Sequence, residues 1–146
     1  MSYWDTSALA KLYVREPDSP SFRLHAAQAG VAPVTAEMTP LEMRRVAFRK
    51  ELTGGLQPGT AETTVAKVDA DVAAGSIEIV EQSQAVVRDL DQVMAACYRR
   101  HPPLPVRTLD ALHLASARVA GETEILATDK RLREAALFLG FTLFPA

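Results

Sequence analysis

The sequence predicts an α/β fold, a three-layer arrangement in which helices cover both faces of a central, mainly parallel sheet. Short apolar or β-branched runs alternate with helix-spaced segments along the whole chain, and turn residues separate them. At 146 residues, 48% hydrophobic and 23% charged, the chain has the length and balance of one globular domain over 1–146. A chain of this size buries roughly two-thirds of the surface it exposes when unfolded. No repeat, linker or low-complexity tract interrupts it.

Residues 1–5 read as a short buried strand, and "TSALAKLYV" after it combines good helix formers with apolar spacing at Leu9, Leu12 and Tyr13. "REPDSPS" supplies a turn, "SFRLHAAQAG" a helix stopped by Gly30, and "VAPVT" a β-branched stretch. "TPLEMRRVAFRKEL" is a helix with Thr39 as its N-cap, Pro40 in its first turn and Gly54 and Gly55 at its end. "QPGTAETTVAKVDADVAAG" is a partner helix folded back on it. "SIEIV" alternates as a strand does, "SQAVVRDLDQVMAACYRR" is helical, and "HPPLP" breaks it. Helix "VRTLDALHLASARVAG", strand "EILAT", helix "DKRLREAALFLG" and strand "FTLF" complete the chain.

Cys97 is the only cysteine, so one chain can build neither a disulfide nor a thiolate zinc site, and the expected compartment is the cytoplasm. There is no charged leader ahead of an apolar segment, and no apolar run nears the ~20 residues that span a bilayer. Neither secretion nor membrane insertion is expected. The net charge of −2 lacks the basic footprint of most nucleic-acid binders.

Four acids stand out by position. Asp5 and Asp129 fall between an expected strand and the helix it feeds, and Glu42 and Asp110 lie in the first turns of their helices. Each has a structural reading, because carboxylates accept hydrogen bonds from free N–H groups at helix starts and oppose the macrodipole. Asp5 and Asp129 fit as N-caps, Thr39 to Glu42 has capping-box spacing, and Asp110 follows Thr108 by two residues. Their joint placement supports another reading. In an open parallel sheet the strand-to-helix turns collect at one edge, where ligands bind. Four carboxylates meeting there have no lysine or arginine in the turns to neutralise them all. Two carboxylates about 4 Å apart repel by about 4 kcal/mol at an effective dielectric of about 20. Such a cluster keeps protons or holds a cation. Oxygen-only ligands suit Mg²⁺ or Mn²⁺, whose usual companion is a phosphate, so a phosphodiester is the expected substrate.

"WDTSALAKLYV", "TPLEMRRVAFRK", "TLDALHLASA" and "ATDKRLREAALFLGF" follow in the order and approximate spacing of a PIN domain. Over nearly its whole length the chain resembles the VapC toxins of bacterial VapBC toxin–antitoxin pairs. The resemblance implies a PIN-like domain in which Asp5, Glu42, Asp110 and Asp129 form the metal site of a Mg²⁺- or Mn²⁺-dependent endoribonuclease. It also implies that Thr6, Ser7 and Thr128 support the acids, that a VapB-like antitoxin binds the chain, and that the chain forms a homodimer. The segment "ELTGGLQPGTAE", joining two helices, lies where such proteins commonly meet their partners. In one departure, members commonly carry a hydroxyl residue two positions before the last acid, where this chain has Ala127.

Setting the four acids aside turns the net charge from −2 to +2, which restores nucleic acid as a partner. Arg44, Arg45, Arg49 and Lys50 follow Glu42 on one helix, where they either track an RNA backbone or form a solvated face. His113, three residues after Asp110, either orients a carboxylate, contacts a phosphate or is a hydrogen-bonded core histidine. Tyr3 and Trp4 are expected to face the covering helices, and Cys97 the core. A non-catalytic module that binds RNA or protein through the acidic pocket is the alternative function. An aspartyl-phosphate mechanism at Asp5 is disfavoured, because the second acid such enzymes use two residues on is Ser7 here.

Overall fold

The computed structural model describes residues 1–146. In order, the elements are β1 (Ser2–Trp4), α1 (Thr6–Ala10), α2 (Ser19–Ala29), β2 (Val34–Ala36), α3 (Thr39–Leu52) and α4 (Ala61–Ala73), followed by β3 (Glu78–Val80), α5 (Gln84–Arg99), α6 (Thr108–Val119), β4 (Glu124–Leu126), α7 (Lys130–Phe138) and β5 (Thr142–Phe144). The strands form one sheet in the order β3-β2-β1-β4-β5, and every neighbouring pair is parallel. Tyr3 of β1 stands opposite Val34 on one side and Ile125 on the other. The order reverses at β1, which puts a crevice at the carboxyl ends of β1 and β4.

Side-chain alternation along the strands sorts the helices into layers. Tyr3, Val34, Ala36 and Ile125 join one buried cluster with Val93 and Cys97 of α5, Leu114 of α6, and Leu132 and Ala136 of α7. Trp4 and Leu126, one residue along, join the opposite cluster with Leu9 of α1, Phe22 of α2, Met43 of α3 and Val68 of α4. Tyr3 and Trp4 thus face helices on opposite sides, and Cys97 lies in the core. Strands of three residues offer few ladder bonds, each worth about 1 kcal/mol net. Fully burying one large apolar side chain contributes about 1.5–3 kcal/mol, so the two clusters hold the sheet edge in place.

Local chemistry sets the ends. Gly30 closes α2 at φ 64°, a left-handed conformation open to glycine without a Cβ penalty. α1 is shorter than the helix expected over 6–14. Beyond Ala10 the N–H groups of Lys11, Leu12 and Tyr13 bond three residues back, a tighter turn that ends regular helix. Thr39 is not an N-cap. Met38 holds that position without a side-chain bond, and the Thr39 hydroxyl instead pairs with Thr35 at 2.7 Å, while Thr35 lies 2.7 Å from the Trp4 carbonyl. These buried hydroxyls fix the start of α3 against β1 and β2. No helix is long and apolar enough to cross a membrane.

Candidate functional site

Three of the acids begin at the carboxyl edge through the simplest device, a strand running into a helix. Asp5 follows β1 and caps α1, its Oδ1 accepting the Ala8 N–H at 2.8 Å. Asp129 follows β4 and caps α7, its Oδ1 accepting the Leu132 N–H at 3.0 Å. Glu42 stands one turn into α3, which starts just past β2. Asp110 enters from α6, the central helix, whose residues 110–117 are all buried. Its Oδ2 accepts the Arg107 backbone N–H at 3.0 Å, so residue 107 caps this helix and Thr108 lies within it. The capping readings of Asp5 and Asp129 therefore hold, and the Thr39–Glu42 capping box does not form. Glu42 turns its side chain to the cluster instead.

Hydrogen bonds and ion pairs hold these acids in three local sets, around Ser7, around Thr6 with His113, and around Arg107. The Ser7 hydroxyl lies 2.7 and 2.8 Å from the two Asp5 oxygens and accepts the Thr128 N–H at 3.1 Å, tying α1 to the loop that carries Asp129. Thr128 contributes there through its backbone. Ala127, at the departure from the family pattern, is fully buried in the core, and the Arg133 guanidinium donates to its carbonyl at 2.8 Å. The Thr6 hydroxyl donates to Glu42 Oε1 at 2.7 Å, and His113 Nε2 reaches the same oxygen at 3.0 Å. An ionised carboxylate only accepts, so Nε2 carries the hydrogen, and in the neutral ring Nδ1 accepts from the Tyr3 hydroxyl 2.7 Å away. His113 is 5% exposed and hydrogen-bonded at both ring nitrogens, so it is a buried, hydrogen-bonded histidine that also orients Glu42.

The two acids nearest this relay are driven apart. Burial raises the Asp5 carboxyl above its ordinary value, opposed by His113, Ser7 and the Ala8 N–H, and reinforced by Glu42. Burial would also raise Glu42, but the hydrogen bond from His113, with Thr6 and Arg107, holds it below the ordinary value.

Arg107 is the residue the sequence reading missed. Its Nε and Nη2 reach Asp110 Oδ2 and Oδ1 at 3.2 and 3.4 Å, and Nη2 lies 3.8 Å from Asp129 Oδ2. One guanidinium thus spans two of the four acids, short of neutralising them all. Its signal in the sequence was its place three residues before Asp110, the i,i+3 spacing of a helix-start ion pair.

No three acidic, histidine or cysteine side chains come together tightly enough, as placed, to enclose a metal ion by themselves. The donor chemistry nevertheless fits a hard cation. All four candidates are carboxylates, and Mg²⁺ typically takes one or two carboxylates and keeps its remaining waters.

Of the four cations after Glu42, Arg44 turns away: it donates to the Pro40 carbonyl and pairs with Asp69 of α4 at 2.8 Å, bracing the helical hairpin. Arg45, Arg49 and Lys50 line a groove of about 450 Å³ with Lys11 and Glu16, and Ser7 and Thr128 line it as well. Lys11 and Lys50 both pair with Glu16, whereas Arg45 and Arg49 make no ion pair.

The family model for the PIN domain matches residues 2–137. No curated protein matches the sequence. Among solved structures, the chain is similar to VapC20 of Mycobacterium tuberculosis, described as a sarcin–ricin loop cleaving toxin, with a TM-score of 0.67 and 15% identity over 92% of this chain and 95% of that one. VapBC2 of Rickettsia felis, bound to a promoter DNA fragment, matches with a TM-score of 0.67 and 13% identity over 98% of this chain and 97% of that one. DNA-bound VapBC of Salmonella typhimurium matches with a TM-score of 0.66 and 17% identity over 97% and 95%. At these identities the likeness to the solved structures is one of fold.

Proposed function

The chain belongs to the PIN-domain family, and from that premise we propose that it is a metal-dependent endoribonuclease of the VapC type, the toxin of a toxin–antitoxin pair. The observation that carries the reading is the placement of four carboxylates at the carboxyl edge of a parallel sheet, Asp5 held by Ser7, Glu42 by Thr6 and His113, and Asp110 and Asp129 paired with Arg107. Asp5, Asp110 and Asp129 would hold Mg²⁺ or Mn²⁺, with Glu42 beside them. Such an ion, when bound, supplies Lewis acidity at the phosphoryl oxygen and eases deprotonation of water.

The chain's own groups do the rest. Glu42 Oε1 is taken by Thr6 and His113, which leaves Oε2 to accept a proton from the attacking water. Its depressed pKa keeps it ionised for that role. Ser7 holds the Asp5 carboxylate in one orientation, and the Thr128 backbone holds Ser7. Arg45, Arg49 and Lys50 would contact RNA phosphates along the groove that Ser7 also lines. Arg44 is withdrawn from that role by Asp69. Leu41, Phe48 and Leu52 stand exposed along α3, an apolar surface suited to a VapB-like antitoxin or a second copy of the chain. Its expected compartment is the cytoplasm.

The test is cleavage of total RNA by purified protein in Mg²⁺, in Mn²⁺ and in excess EDTA, beside Asp110→Asn. Discrete fragments that require both metal and Asp110 are expected. Intact RNA under every condition, from folded protein free of antitoxin, would move the assignment to a non-catalytic binding module.

A further inference from the structure

We infer that Arg107 is an internal counter-ion of the acid site: its guanidinium competes with a divalent cation for Asp110 and Asp129, and loading of the cation turns it outward to the substrate phosphate. The inference rests on the metal-site reading above and adds a residue and a regulation to it.

Position and looseness carry the argument. One guanidinium lies within 3.4 Å of both oxygens of Asp110 and 3.8 Å from Asp129, so it occupies the charge balance of the two acids that a shared cation would need. The contacts are longer than the ~2.7–2.9 Å of a tight charge-assisted bond. The Arg107 side chain is 62% exposed, whereas that of Asp110 is 7% exposed. A guanidinium this exposed, at these distances, can leave the buried carboxylate without uncovering it.

The carboxylates do not depend on the guanidinium for their placement. Asp110 is also held by the Arg107 backbone N–H at 3.0 Å, and Asp129 by the Leu132 N–H at 3.0 Å. Displacing the side chain therefore leaves both acids seated.

There is somewhere for the side chain to go. Arg107 lines two adjoining cavities of about 430 and 510 Å³; the first also presents Lys130 and Arg131 beside Asp129, and Arg131 lines the second as well. Arg107 turned into the first would stand with Lys130 and Arg131, whose charge Glu134 offsets in part, at the rim of the acid site. Arginine suits both states, because the same planar fork fits a carboxylate or a phosphate.

The experiment is a Mn²⁺ titration followed by the electron paramagnetic resonance of the free ion, on the full chain and on Arg107→Ala and Arg107→Lys, with RNA cleavage measured at saturating Mn²⁺. Roughly fivefold tighter Mn²⁺ binding is expected in Arg107→Ala, about 1 kcal/mol. Cleavage by that variant is expected to fall even when Mn²⁺ is saturating, and Arg107→Lys should lie between it and the parent. A purely structural role would loosen metal binding, not tighten it. Mn²⁺ affinity that is unchanged or weaker in a folded Arg107→Ala protein, or tighter binding with full cleavage, overturns the inference and leaves the site assignment standing. Failure of the parent and both variants alike to bind Mn²⁺ overturns the site assignment and this inference with it.

Discussion

Asp5→Asn is expected to abolish cleavage and yet stabilise the fold. Asp5 is 4% exposed, and burial holds its carboxyl above the ordinary 3.8, so the ionised form is a net liability to the native state. Asparagine keeps the Oδ1 that accepts the Ala8 N–H, so α1 retains its cap while the charge goes. Neutralising a charge buried for function gains about 1 kcal/mol, or about 4 °C in Tm at this chain length. Asp5→Ala also loses the cap, which costs about 1 kcal/mol, and should come out close to the parent. The pH dependence gives the sharper check. A carboxyl whose folded pKa is raised binds its proton more tightly in the folded state, so its destabilisation is complete above the folded value. That penalty fades as pH falls through the folded value and vanishes below the unfolded one. The advantage of Asp5→Asn should therefore be present near pH 7 and disappear below the 3.8 reference. Thermal unfolding by circular dichroism at several pH values in that interval, with RNA cleavage alongside, measures both halves. An Asn variant less stable than the parent near neutrality, or an advantage that ignores pH, would refute the reasoning.

Tyr3→Phe removes the donor to His113 Nδ1 inside the core, which should cost about 1–3 kcal/mol in urea unfolding and lower kcat as the ring loses one of the two bonds that orient it; unchanged stability would show that the relay is not made. Replacing Arg45 and Arg49 together by alanine should raise KM for RNA with kcat little altered, and flatten the log–log salt dependence of binding by about 1.4 for two phosphate contacts. Arg44→Ala should leave KM alone and cost at most about 1 kcal/mol of stability, since its partner is Asp69. An equal rise in KM from Arg44→Ala would remove the distinction drawn between neighbouring arginines.

Local patterns told the elements and the chemistry of the turns. The periodicity of "SQAVVRDLDQVMAACYRR" and "DKRLREAALFLG" gave α5 and α7, Gly30 gave the end of α2, and the placing of Asp5 and Asp129 between strand and helix gave two caps. These are decided within a turn or two of chain, by backbone preference and by N–H groups that need a partner. Thr39 misled for the same reason: its hydroxyl suits a cap locally, but Thr35 on β2 offered a buried partner across the start of the helix.

Distance along the chain set the limit of that reading. Tyr3 and His113 are 110 positions apart, and His113 and Glu42 are 71, so no window of sequence contains the relay that holds Glu42. Arg44 and Arg45 are neighbours of one type, yet only the return of α4 alongside α3 gives Arg44 a carboxylate and leaves Arg45 to the groove. Arg107 reaches Asp129 only because α6 and the end of β4 meet at one edge of the sheet. Sequence alone determined which segments are strand or helix and where carboxylates stand at their junctions, because those choices are made by local hydrogen bonding and apolar spacing. Tertiary structure alone decided which charges face each other, because Coulomb energy and hydrogen bonding depend on separation in space, and the parallel crossovers of this sheet bring remote residues within 4 Å.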